Sequence, residues 1–422
     1  MSKFVLRDYQ QQASDVAVDF FRSKAKGNGL IVAPTGAGKS LIVADIARQL
    51  DGNVMILQPN KELLEQNYAK LAGYDIEGSV YSASMRKKEV GKITFATIKS
   101  VANHMELFDE FAAVIIDECH LVNSAEGQYK EFLEKVPRKV LGLTATPYRL
   151  CSVQGIEVEG KFKVNGSYKE ETYFDENGYP KPGVEVTNKA ILKFLTRTKP
   201  RIFSKVLFDI SIGKLVRQGY LAQLSYFPIE VIDTSRVAVN SKGRDYEERS
   251  LFAEFERCKL GVQLAQIVRR LLNPKSGVPR NGILVFTRFV QESEALCRAV
   301  PGCAMLTSDT KPAERKRIIS QFRSGEIKVL ANVNILTTGF DYPALDTIVM
   351  ARPTMSLAVW YQVLGRAVRP YEGKEPWIVD LGGNYERFGK IENLRLREPE
   401  PGKYAVFGWL NNEWTQLSNV YY

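Results

Sequence analysis

A glycine-rich loop that ends in a lysine and a serine is the first stretch whose residue types are suited to chemistry. The loop reads APTGAGKS over residues 33–40 and follows the spacing of a Walker A phosphate-binding loop, except that Ala33 replaces the first glycine. Its backbone N–H groups can surround phosphates, and the positive end of a helix that starts there adds to the attraction. Lys39 would reach the β and γ phosphates of ATP, and Ser40 would ligate Mg²⁺. The residues that we expect to bind the nucleotide here are Thr35, Gly36, Ala37, Gly38, Lys39 and Ser40.

Two adjacent acids at the end of an apolar run form the second group of candidate catalytic residues. The run VIIDECH, residues 114–120, ends a predicted strand with Asp117 and Glu118, and the carboxyl end of a strand is where a parallel α/β sheet presents its ligands. Asp117 can hold Mg²⁺ through water, and Glu118 can orient or deprotonate the attacking water. The pair alone is a weak signal, but beside a phosphate loop it indicates ATP hydrolysis.

Two arginines near the C-terminal end of the chain form the third group. The stretch YQVLGRAVRP, residues 361–370, places Arg366 and Arg369 three positions apart, which predicts that they share one side of a helix. A guanidinium that neutralises the charge developing on a γ phosphate raises the rate of phosphoryl transfer by roughly 10³ to 10⁵. Ordinary surface arginines are the alternative, but this spacing in a second domain favours the catalytic interpretation.

The hydrophobic pattern predicts the elements that bring these residues together. Short apolar runs that have the character of buried parallel strands alternate with stretches of helical spacing. The predicted strands of the first half are GLIVA (29–33), NVMILQP (53–59), KITFAT (92–97), FAAVIIDE (111–118) and KVLGLTAT (139–146). Those of the second half are GILVFT (282–287), CAMLTS (303–308), KVLANV (328–333), DTIVMA (346–351) and PWIVDL (376–381). The sequence therefore predicts an α/β protein with two tandem parallel-sheet domains, residues 1–150 and 206–385.

Two segments interrupt this rhythm. Residues 151–205 alternate polar and apolar residues and contain Asn-Gly pairs at 165–166 and 177–178, which predict β-hairpins inserted between the domains. Residues 386–422 resemble a small terminal hairpin with a packing role. The basic part of the insertion predicts phosphate contacts at Lys193, Arg197, Lys199 and Arg201. The hairpin is either a wedge that divides strands or a solvated decoration, and its acids favour the second interpretation for the hairpin itself.

Composition limits the class of protein. The chain has 422 residues and a formal net charge of +10, which favours an anionic partner, with a generally basic surface as the alternative. Five scattered cysteines without a Cys-x-x-Cys pair, and only two histidines, argue against a zinc site and predict reduced thiols in a cytosol. The first ten residues lack a signal-peptide core, and no segment is apolar for long enough to span a membrane. We expect a cytoplasmic protein.

The motifs, taken in order, resemble those of superfamily 2 helicases of the Asp-Glu-x-His type, which have two RecA-like domains. The matching stretches are LRDYQ (6–10), APTGAGKS (33–40), LQPNKELLEQ (57–66), FATIKSV (95–101), DECH (117–120), LTATP (143–147), LVFTR (284–288), LTTGFD (336–341) and QVLGRAVR (362–369). The resemblance implies that Arg7 and Gln10 read the adenine base, that Gly339 and Asp341 approach the nucleotide, and that Gln362 lies near the attacking water. It also implies contacts with a nucleic-acid strand by Pro59, Asn60, Thr97, Arg288 and Thr337.

Within the superfamily, the sequence is most similar to RadD-like bacterial DNA-repair helicases and to phage branch-migration helicases such as UvsW. This implies an enzyme that uses ATP and Mg²⁺ to unwind or remodel single-stranded, forked or branched DNA without sequence preference, in a bacterial cell or a phage-infected host. A single-strand-binding protein or a repair protein is the implied partner. Three alternatives stay open: an RNA helicase, the motor subunit of a restriction or nuclease complex, and a binding adaptor with an inactive ATP site. The intact catalytic set argues against the adaptor.

Overall fold

The computed structural model describes residues 5–72, 76–123, 126–135, 139–333, 335–336 and 342–421. Its strands are β1 (Asn28–Val32), β2 (Asn53–Gln58), β3 (Ser79–Ser82), β4 (Lys87–Lys88), β5 (Ile93–Thr97), β6 (Phe111–Ile116), β7 (Val140–Thr144), β8 (Tyr148–Val158), β9 (Lys161–Val164), β10 (Val184–Phe194), β11 (Phe203–Asp209), β12 (Ser225–Pro228), β13 (Ile283–Thr287), β14 (Cys303–Leu306), β15 (Val329–Val333), β16 (Thr347–Ala351), β17 (Trp377–Asp380), β18 (Arg395–Glu400), β19 (Lys403–Leu410) and β20 (Glu413–Gln416).

The helices alternate with these strands in both halves of the chain. They are α1 (Asp8–Arg22), α2 (Lys39–Gln49), α3 (Lys61–Ala72), α4 (Ile98–Val101), α5 (Gln128–Lys135), α6 (Glu170–Tyr173), α7 (Ile212–Arg217), α8 (Glu248–Arg257), α9 (Leu260–Leu272), α10 (Val290–Ala299), α11 (Pro312–Arg323), α12 (Leu357–Leu364) and α13 (Asn384–Phe388). Short 3₁₀ turns cover Cys119–Leu121, Leu195–Arg197 and Ile391–Asn393, among others.

Two mostly parallel sheets form the two domains, as predicted. The first has the strand order β11-β1-β7-β6-β2-β5-β3-β4, in which only the β3–β4 pair is antiparallel. The second has the order β12-β17-β16-β13-β15-β14 and is parallel throughout. All ten strands predicted from the apolar runs are confirmed. Most of their side chains are buried on both faces, because helices cover both sides of such a sheet, whereas the edge strand β14 is only partly buried.

The insertion does not separate the two domains in the way that we predicted. After the insertion the chain returns to the first sheet, where β11 pairs in parallel with the edge of β1, so the predicted boundary at residue 205 falls inside a strand. The second sheet begins only at β12. The sequence hides β11 because its side chains are only partly buried and lie next to the basic stretch, so the strand lacks the continuous apolar run of an inner strand.

The insertion itself is a three-stranded antiparallel sheet of order β10-β8-β9. Eleven consecutive residue pairs join β8 to β10, from Val158–Val184 at one end to Tyr148–Phe194 at the other. The two-residue turn between β8 and β9 is Glu159–Gly160, both with positive φ, and not one of the Asn-Gly pairs. Both Asn-Gly pairs do lie at turns, the second inside a small loop closed by a bridge between Phe174 and Pro180.

The C-terminal segment is a three-stranded antiparallel sheet, β18-β19-β20, rather than a single hairpin. Asn419 fastens it to the first domain: its N–H donates to the carbonyl oxygen of Leu192, and its side-chain oxygen accepts from the N–H of Phe194. Tyr421 also forms a bridge with Ile191. The end of the chain therefore packs against β10 of the insertion.

The cysteines differ from the sequence expectation in one respect. Cys297 at the end of α10 and Cys303 at the start of β14 are joined in a disulfide, because a tight turn brings their Cα atoms to 4.9 Å. Cys119, Cys151 and Cys258 are free thiols. No helix in the described ranges is long and apolar enough to cross a bilayer.

Candidate active site

The phosphate loop leaves β1 and enters α2 through two glycines in the left-handed region. Gly36 has φ +85° and Gly38, the N-cap of α2, has φ +76°. A Cβ atom on Gly38 would also lie 2.4 Å from the amide nitrogen of Gln10. A larger residue at either position would be strained, since L side chains rarely adopt this backbone conformation. These glycines let the loop turn so that the N-terminal end of α2 faces the cleft.

Helix α1 holds this loop from behind. The hydroxyl of Tyr9 and the amide of Gln10 both donate to the carbonyl oxygen of Ala37, at 2.9 and 2.8 Å. The side-chain oxygen of Gln10 accepts from the N–H of Arg7. The guanidinium of Arg7 lies 4.2 Å from the ring centroid of Tyr220, a residue that sequence reasoning missed. Gln10 therefore positions the loop in this structure, and its implied contact with adenine stays a prediction, like that of Arg7.

The two acids lie at the carboxyl end of β6, next to the loop. The N–H of Asp117 donates to the carbonyl oxygen of Leu57, which continues the pairing of β6 with β2. Glu118 has φ +47°, an unusual value for a residue with a side chain, and such outliers often occur at functional sites. Its carboxylate lies 3.7 Å from the ammonium group of Lys39. The lysine of the loop and the candidate general base are thus neighbours.

The candidate Mg²⁺ ligands are linked by Asn67 of α3. The hydroxyl of Ser40 donates to the side-chain oxygen of Asn67, and the amide nitrogen of Asn67 donates to Asp117 at 3.0 Å. A hydroxyl and a carboxylate are hard oxygen donors of the kind that Mg²⁺ selects. Ser40 and Asp117 therefore fit the ion that a nucleotide brings, and Mg²⁺ would supply positive charge to the phosphates. Asn67 positions both donors.

Residues from both domains line one cleft of about 250 Å³. The first domain contributes the loop, the two acids and a face of α3. The second domain contributes Gln362, Arg366 and Arg369. Gln362 belongs to α12, but this helix ends at Leu364, so both arginines lie in the turn that follows it. Our prediction of one helix through both arginines was therefore wrong in its local structure, because the chain leaves the helix at Gly365.

The cleft concentrates positive charge. Burial lowers the pKa of Arg366 and of Arg369 to about 10, and the charge of Arg323 adds to the shift at Arg369. Lys70 of α3 is an exposed residue overall, but its ammonium group lies inside the cleft. Burial of that group and the nearby charge of Arg369 lower the pKa of Lys70 as well. Each of these cations would be stabilised by an anion, so the cleft favours a polyanion such as a triphosphate.

The two acids respond to this environment in opposite directions. Burial and the charge of Glu118 raise the pKa of Asp117 to about 6. Burial also opposes ionisation of Glu118, but Lys39, the hydrogen bond from His120 and the charge of Arg366 together outweigh it and lower its pKa to about 2. Glu118 is therefore a carboxylate at neutral pH, able to orient the water that attacks a phosphate and to accept its proton.

A chain of polar contacts connects this acid to the second domain. The amide nitrogen of Gln362 lies 2.8 Å from Nε2 of His120. Because an amide nitrogen donates, Nε2 accepts, and Nδ1 carries the proton toward the oxygens of Glu118 and Thr144 at 3.3 and 2.9 Å. Sequence reasoning assigned Gln362 to the attacking water and gave no role to His120 or Thr144, although both belong to quoted motifs. In the structure they join the acid to α12.

Asn67 and Lys70 were also missed. They lie three positions apart on α3 and share the helix face that lines the cleft with Leu63 and Gln66. Polar residues at spacings of three and four positions occur in any amphipathic helix. Asn67 and Lys70 therefore could not be distinguished by sequence from ordinary surface polar residues.

Asn67→Ala is expected to raise the Mg²⁺ concentration needed for half-maximal ATP hydrolysis by about 10-fold, since outer-shell partners of metal ligands typically contribute 10- to 100-fold to metal affinity. The measurement is a Mg²⁺ titration of hydrolysis at saturating ATP, with Asn53→Ala at the start of β2 as the control. An unchanged Mg²⁺ requirement in Asn67→Ala would show that Asn67 does not support the metal ligands.

The residues predicted to contact a strand lie at the same sheet edges as the ATP site. Pro59 and Asn60 follow β2, Thr97 ends β5, and Arg288 follows β13, all at the carboxyl ends of parallel strands. The hydroxyl of Thr97 is nearly buried and bonds to that of Ser100. Arg288 lies 2.8 Å from Glu248 of α8. Thr337, Gly339 and Asp341 lie outside the described residues.

The basic stretch of the insertion is less uniform than its sequence indicates. Its first lysine, Lys189, is neutralised by Glu157 across the β8–β10 pair, at 2.9 Å. Of the residues predicted to bind phosphate, Lys193 is partly buried on β10, and Arg197, Lys199 and Arg201 are exposed beyond it. None of these four lines the ATP cleft, and Arg197 lies near Glu400 of the C-terminal sheet.

Known families match both domains. Residues 3–149 match the family described as "Type III restriction enzyme, res subunit", and residues 263–371 match the "Helicase conserved C-terminal domain". With the two-domain fold and the charged cleft, these matches place the chain among the superfamily 2 helicases, a class of ATP-hydrolysing enzymes.

The chain is similar over most of its length to particular members. It is 25% identical to a "51.5 kDa protein" of a Lactococcus phage (isolate 7-9), over 85% of this chain and 67% of that one. It is also 25% identical to the "Putative ATP-dependent helicase IRC3" of Saccharomyces cerevisiae and to the "DNA 3'-5' translocase XPB2" of Sulfurisphaera tokodaii, in each case over 90% of this chain. It spans 52% of the yeast protein and 82% of the archaeal one.

Solved structures share the fold. The fragment structure of a putative HsdR subunit of a type I restriction enzyme from Vibrio vulnificus YJ016 has a TM-score of 0.60 at 21% identity, over 92% of this chain and 67% of that one. The type ISP restriction-modification enzyme LlaBIII bound to DNA has a TM-score of 0.58 at 19% identity, over 90% and 28% of the two chains.

Proposed function

We propose that the chain is an ATP-driven translocase that moves along DNA and remodels forked or branched structures. The observation that carries this proposal is the single cleft in which Lys39 and Glu118 of one domain meet Arg366 and Arg369 of the other. A nucleotide in this cleft contacts both domains at once, so its binding and its loss change how firmly the domains hold each other.

ATP favours closure because its phosphates, bound by the loop of the first domain, attract the arginines of the second domain. Hydrolysis and release of phosphate remove that attraction, and the domains separate. Each ligand state therefore has different contacts with the two domains, which is the condition for a ligand to shift a conformational equilibrium. The contact between His120 and Gln362 spans the cleft, so a change in the group that Glu118 binds can move α12 through this contact.

Movement requires that both domains hold the nucleic acid. The carboxyl ends of β2 and β5 in one sheet and of β13 in the other present Asn60, Thr97 and Arg288, the residues assigned to this role. Contacts with the phosphodiester backbone carry no base information, so binding is expected to be independent of sequence. The similarity to a protein named a DNA translocase supports DNA as the track.

The proposal that the substrate is forked or branched DNA rests on the resemblance to RadD-like and UvsW-like helicases and on the insertion. In the sheet β10-β8-β9, the long antiparallel pair β8–β10 extends from the first domain, and the loop at its outer end carries the exposed Tyr179. We propose that it meets the junction at which two strands separate, while Arg197, Lys199 and Arg201 hold a phosphate backbone beside it.

The experiment that tests this function compares ATP hydrolysis in the presence of single-stranded DNA, forked DNA, four-way junctions and single-stranded RNA. Strong stimulation by DNA, and greatest by forks or junctions, is the expected result. Stimulation by RNA alone would identify an RNA helicase, and no stimulation by any nucleic acid would remove the translocase proposal.

Shortening the insertion is expected to abolish fork unwinding while strand-stimulated ATP hydrolysis is largely kept. Since Val158 pairs with Val184, residues 159–183 can be replaced by Asn-Gly, which leaves the whole β8–β10 pair as a simple hairpin. A second variant changes Lys193, Arg197, Lys199 and Arg201 to glutamine. Both activities are measured on the same fork, and wild-type unwinding by both variants would reduce the insertion to a decoration.

A further inference from the structure

The C-terminal sheet has one face that carries aromatic rings and arginines and lies away from the ATP cleft. We call it the Trp–Arg face and define it by Arg395, Arg397, Phe407, Trp409 and Trp414. The pairing of the strands places these side chains together, because Arg395 pairs with Phe407 and Trp409 pairs with Trp414. Residues that pair across antiparallel strands point to the same side of a sheet.

The opposite side of the same sheet anchors it to the protein. Leu396, Val406 and Leu417 belong to the main hydrophobic core or pack against it. The Trp–Arg face is therefore turned outward, and Trp409 and Trp414 are 40% and 39% exposed, whereas Trp360 of α12 is fully buried. Two tryptophans that stay this exposed on one sheet face are not needed to pack the sheet against the core.

The rings and guanidinium groups form a connected surface. The rings of Trp409 and Trp414 are 5.5 Å apart at an angle of 72°. The guanidinium of Arg397 lies 4.6 Å from the ring centroid of Trp414 and 5.1 Å from that of Phe407. Flat rings and planar cations at this spacing offer alternate surfaces on which unpaired bases stack.

The charge of this region favours a polyanion. Burial lowers the pKa of Arg395, and the positive charges of Arg217 and Arg397 add to the shift. The nearest acids of the sheet have other partners or face the other way. Glu400 pairs with Lys403, and Glu413 pairs in register with Leu410, which packs on the core side.

The Trp–Arg face adjoins the basic stretch of the insertion. Phe194 stacks at 5.9 Å on Tyr404, which lies on the core side of β19, and the turn Leu195–Arg197 follows directly. Arg197 also lies near Glu400 at the end of β18, whose pKa is lowered first by Lys403 and further by Arg197. At least one cation of the insertion therefore lies at the edge of the C-terminal sheet that carries the Trp–Arg face.

We propose that the Trp–Arg face binds single-stranded nucleic acid, with bases stacked on Trp409, Trp414 and Phe407 and phosphates held by Arg395 and Arg397. Duplex would bind poorly there, since its bases are already stacked on one another. The proposal deepens the proposed function, on which it rests for the presence of an unpaired strand: this face would hold a strand after the motor has separated it.

The test measures binding directly and without ATP. The fluorescence anisotropy of a labelled 20-nucleotide thymidine strand gives the dissociation constant for the wild type, for the double variant Trp409→Ala/Trp414→Ala and for Arg397→Ala. Stacking contributes about 1–3 kcal/mol per base, so the double variant, which loses two rings, is expected to bind at least about 30-fold more weakly. A deoxyuridine strand and a uridine strand run in parallel differ only in the sugar and identify the preferred one. Phe227→Ala is the control, because Phe227 is 38% exposed on the second domain.

A second variant separates contact from folding. Trp409→Phe/Trp414→Phe keeps aromatic rings, so it is expected to bind the strand with nearly wild-type affinity. The quenching of tryptophan emission by the strand, present in the wild type, should be lost in this variant. Wild-type affinity in both the alanine variant and Arg397→Ala would overturn the proposal, as would a duplex that binds the face as well as the strand does. Strand-stimulated hydrolysis is measured separately, so its absence would count against the translocase and not against this face.

Discussion

Glu118→Gln is expected to bind ATP with near-normal affinity and to hydrolyse it 10²- to 10⁴-fold more slowly than the wild type. Glutamine keeps the shape of the side chain but cannot accept a proton, and a positioned general base contributes this range of rate. Lys39, His120 and Arg366 hold the native carboxylate in its charged form, so the lost function is that of a base rather than of a buried acid. Binding is measured with a fluorescent ATP analogue and hydrolysis by phosphate release.

Two comparisons make this result specific. Glu134→Gln on α5 removes an exposed carboxylate paired with Lys130 and is expected to hydrolyse ATP at the wild-type rate. Lys39→Ala should lose binding as well as hydrolysis, because it removes the ammonium group that meets the phosphates. If Glu118→Gln hydrolyses ATP normally, the assignment of the general base to Glu118 is wrong.

Arg366→Ala and Arg369→Ala are each expected to bind ATP but to lose roughly 10³- to 10⁵-fold in hydrolysis, the range found for arginines that stabilise phosphoryl transfer. The larger loss is expected at Arg366, which is partly buried and whose charge acts on the general base Glu118. Lysine should not restore the rate at either position, because a point charge does not reproduce a planar guanidinium with two donors.

The matched control for these variants is Arg270→Ala on the exposed side of α9, remote from the cleft. Its rate of hydrolysis should equal that of the wild type. Wild-type rates in both Arg366→Ala and Arg369→Ala would mean that the second domain takes no part in the chemistry, and the cleft would then be an ATP site of the first domain alone.

The sequence predicted most of the inner strands of both sheets because these strands are buried on both faces and are therefore apolar without interruption. It also predicted which loops carry the charged residues, since Walker-type spacing depends on local backbone geometry around Gly36 and Gly38. Strands without an apolar run were missed: β11 is half-exposed, the inner strand β3 reads Ser-Val-Tyr-Ser, and β4 has only two residues.

The contacts between side chains from distant elements of the site could not be predicted from the sequence. Asn67 joins Ser40 to Asp117, and His120 joins Glu118 to Gln362, but each link depends on how α3 and α12 pack over the sheets. No local pattern encodes that packing. In the C-terminal sheet a hairpin was expected, and the third strand, β18, adds Arg395 and Arg397 to the face on which the hairpin β19–β20 already holds Trp409 and Trp414.

Displacement of streptavidin from a biotinylated end of single-stranded DNA measures movement along the strand directly. We expect the wild type, given ATP and Mg²⁺, to displace streptavidin from one end of the strand faster than from the other, and Glu118→Gln bound to the same strand to displace none. Strand-stimulated hydrolysis without displacement from either end, or displacement at an equal rate without ATP, would contradict the claim that closure and opening of this cleft drive movement along DNA.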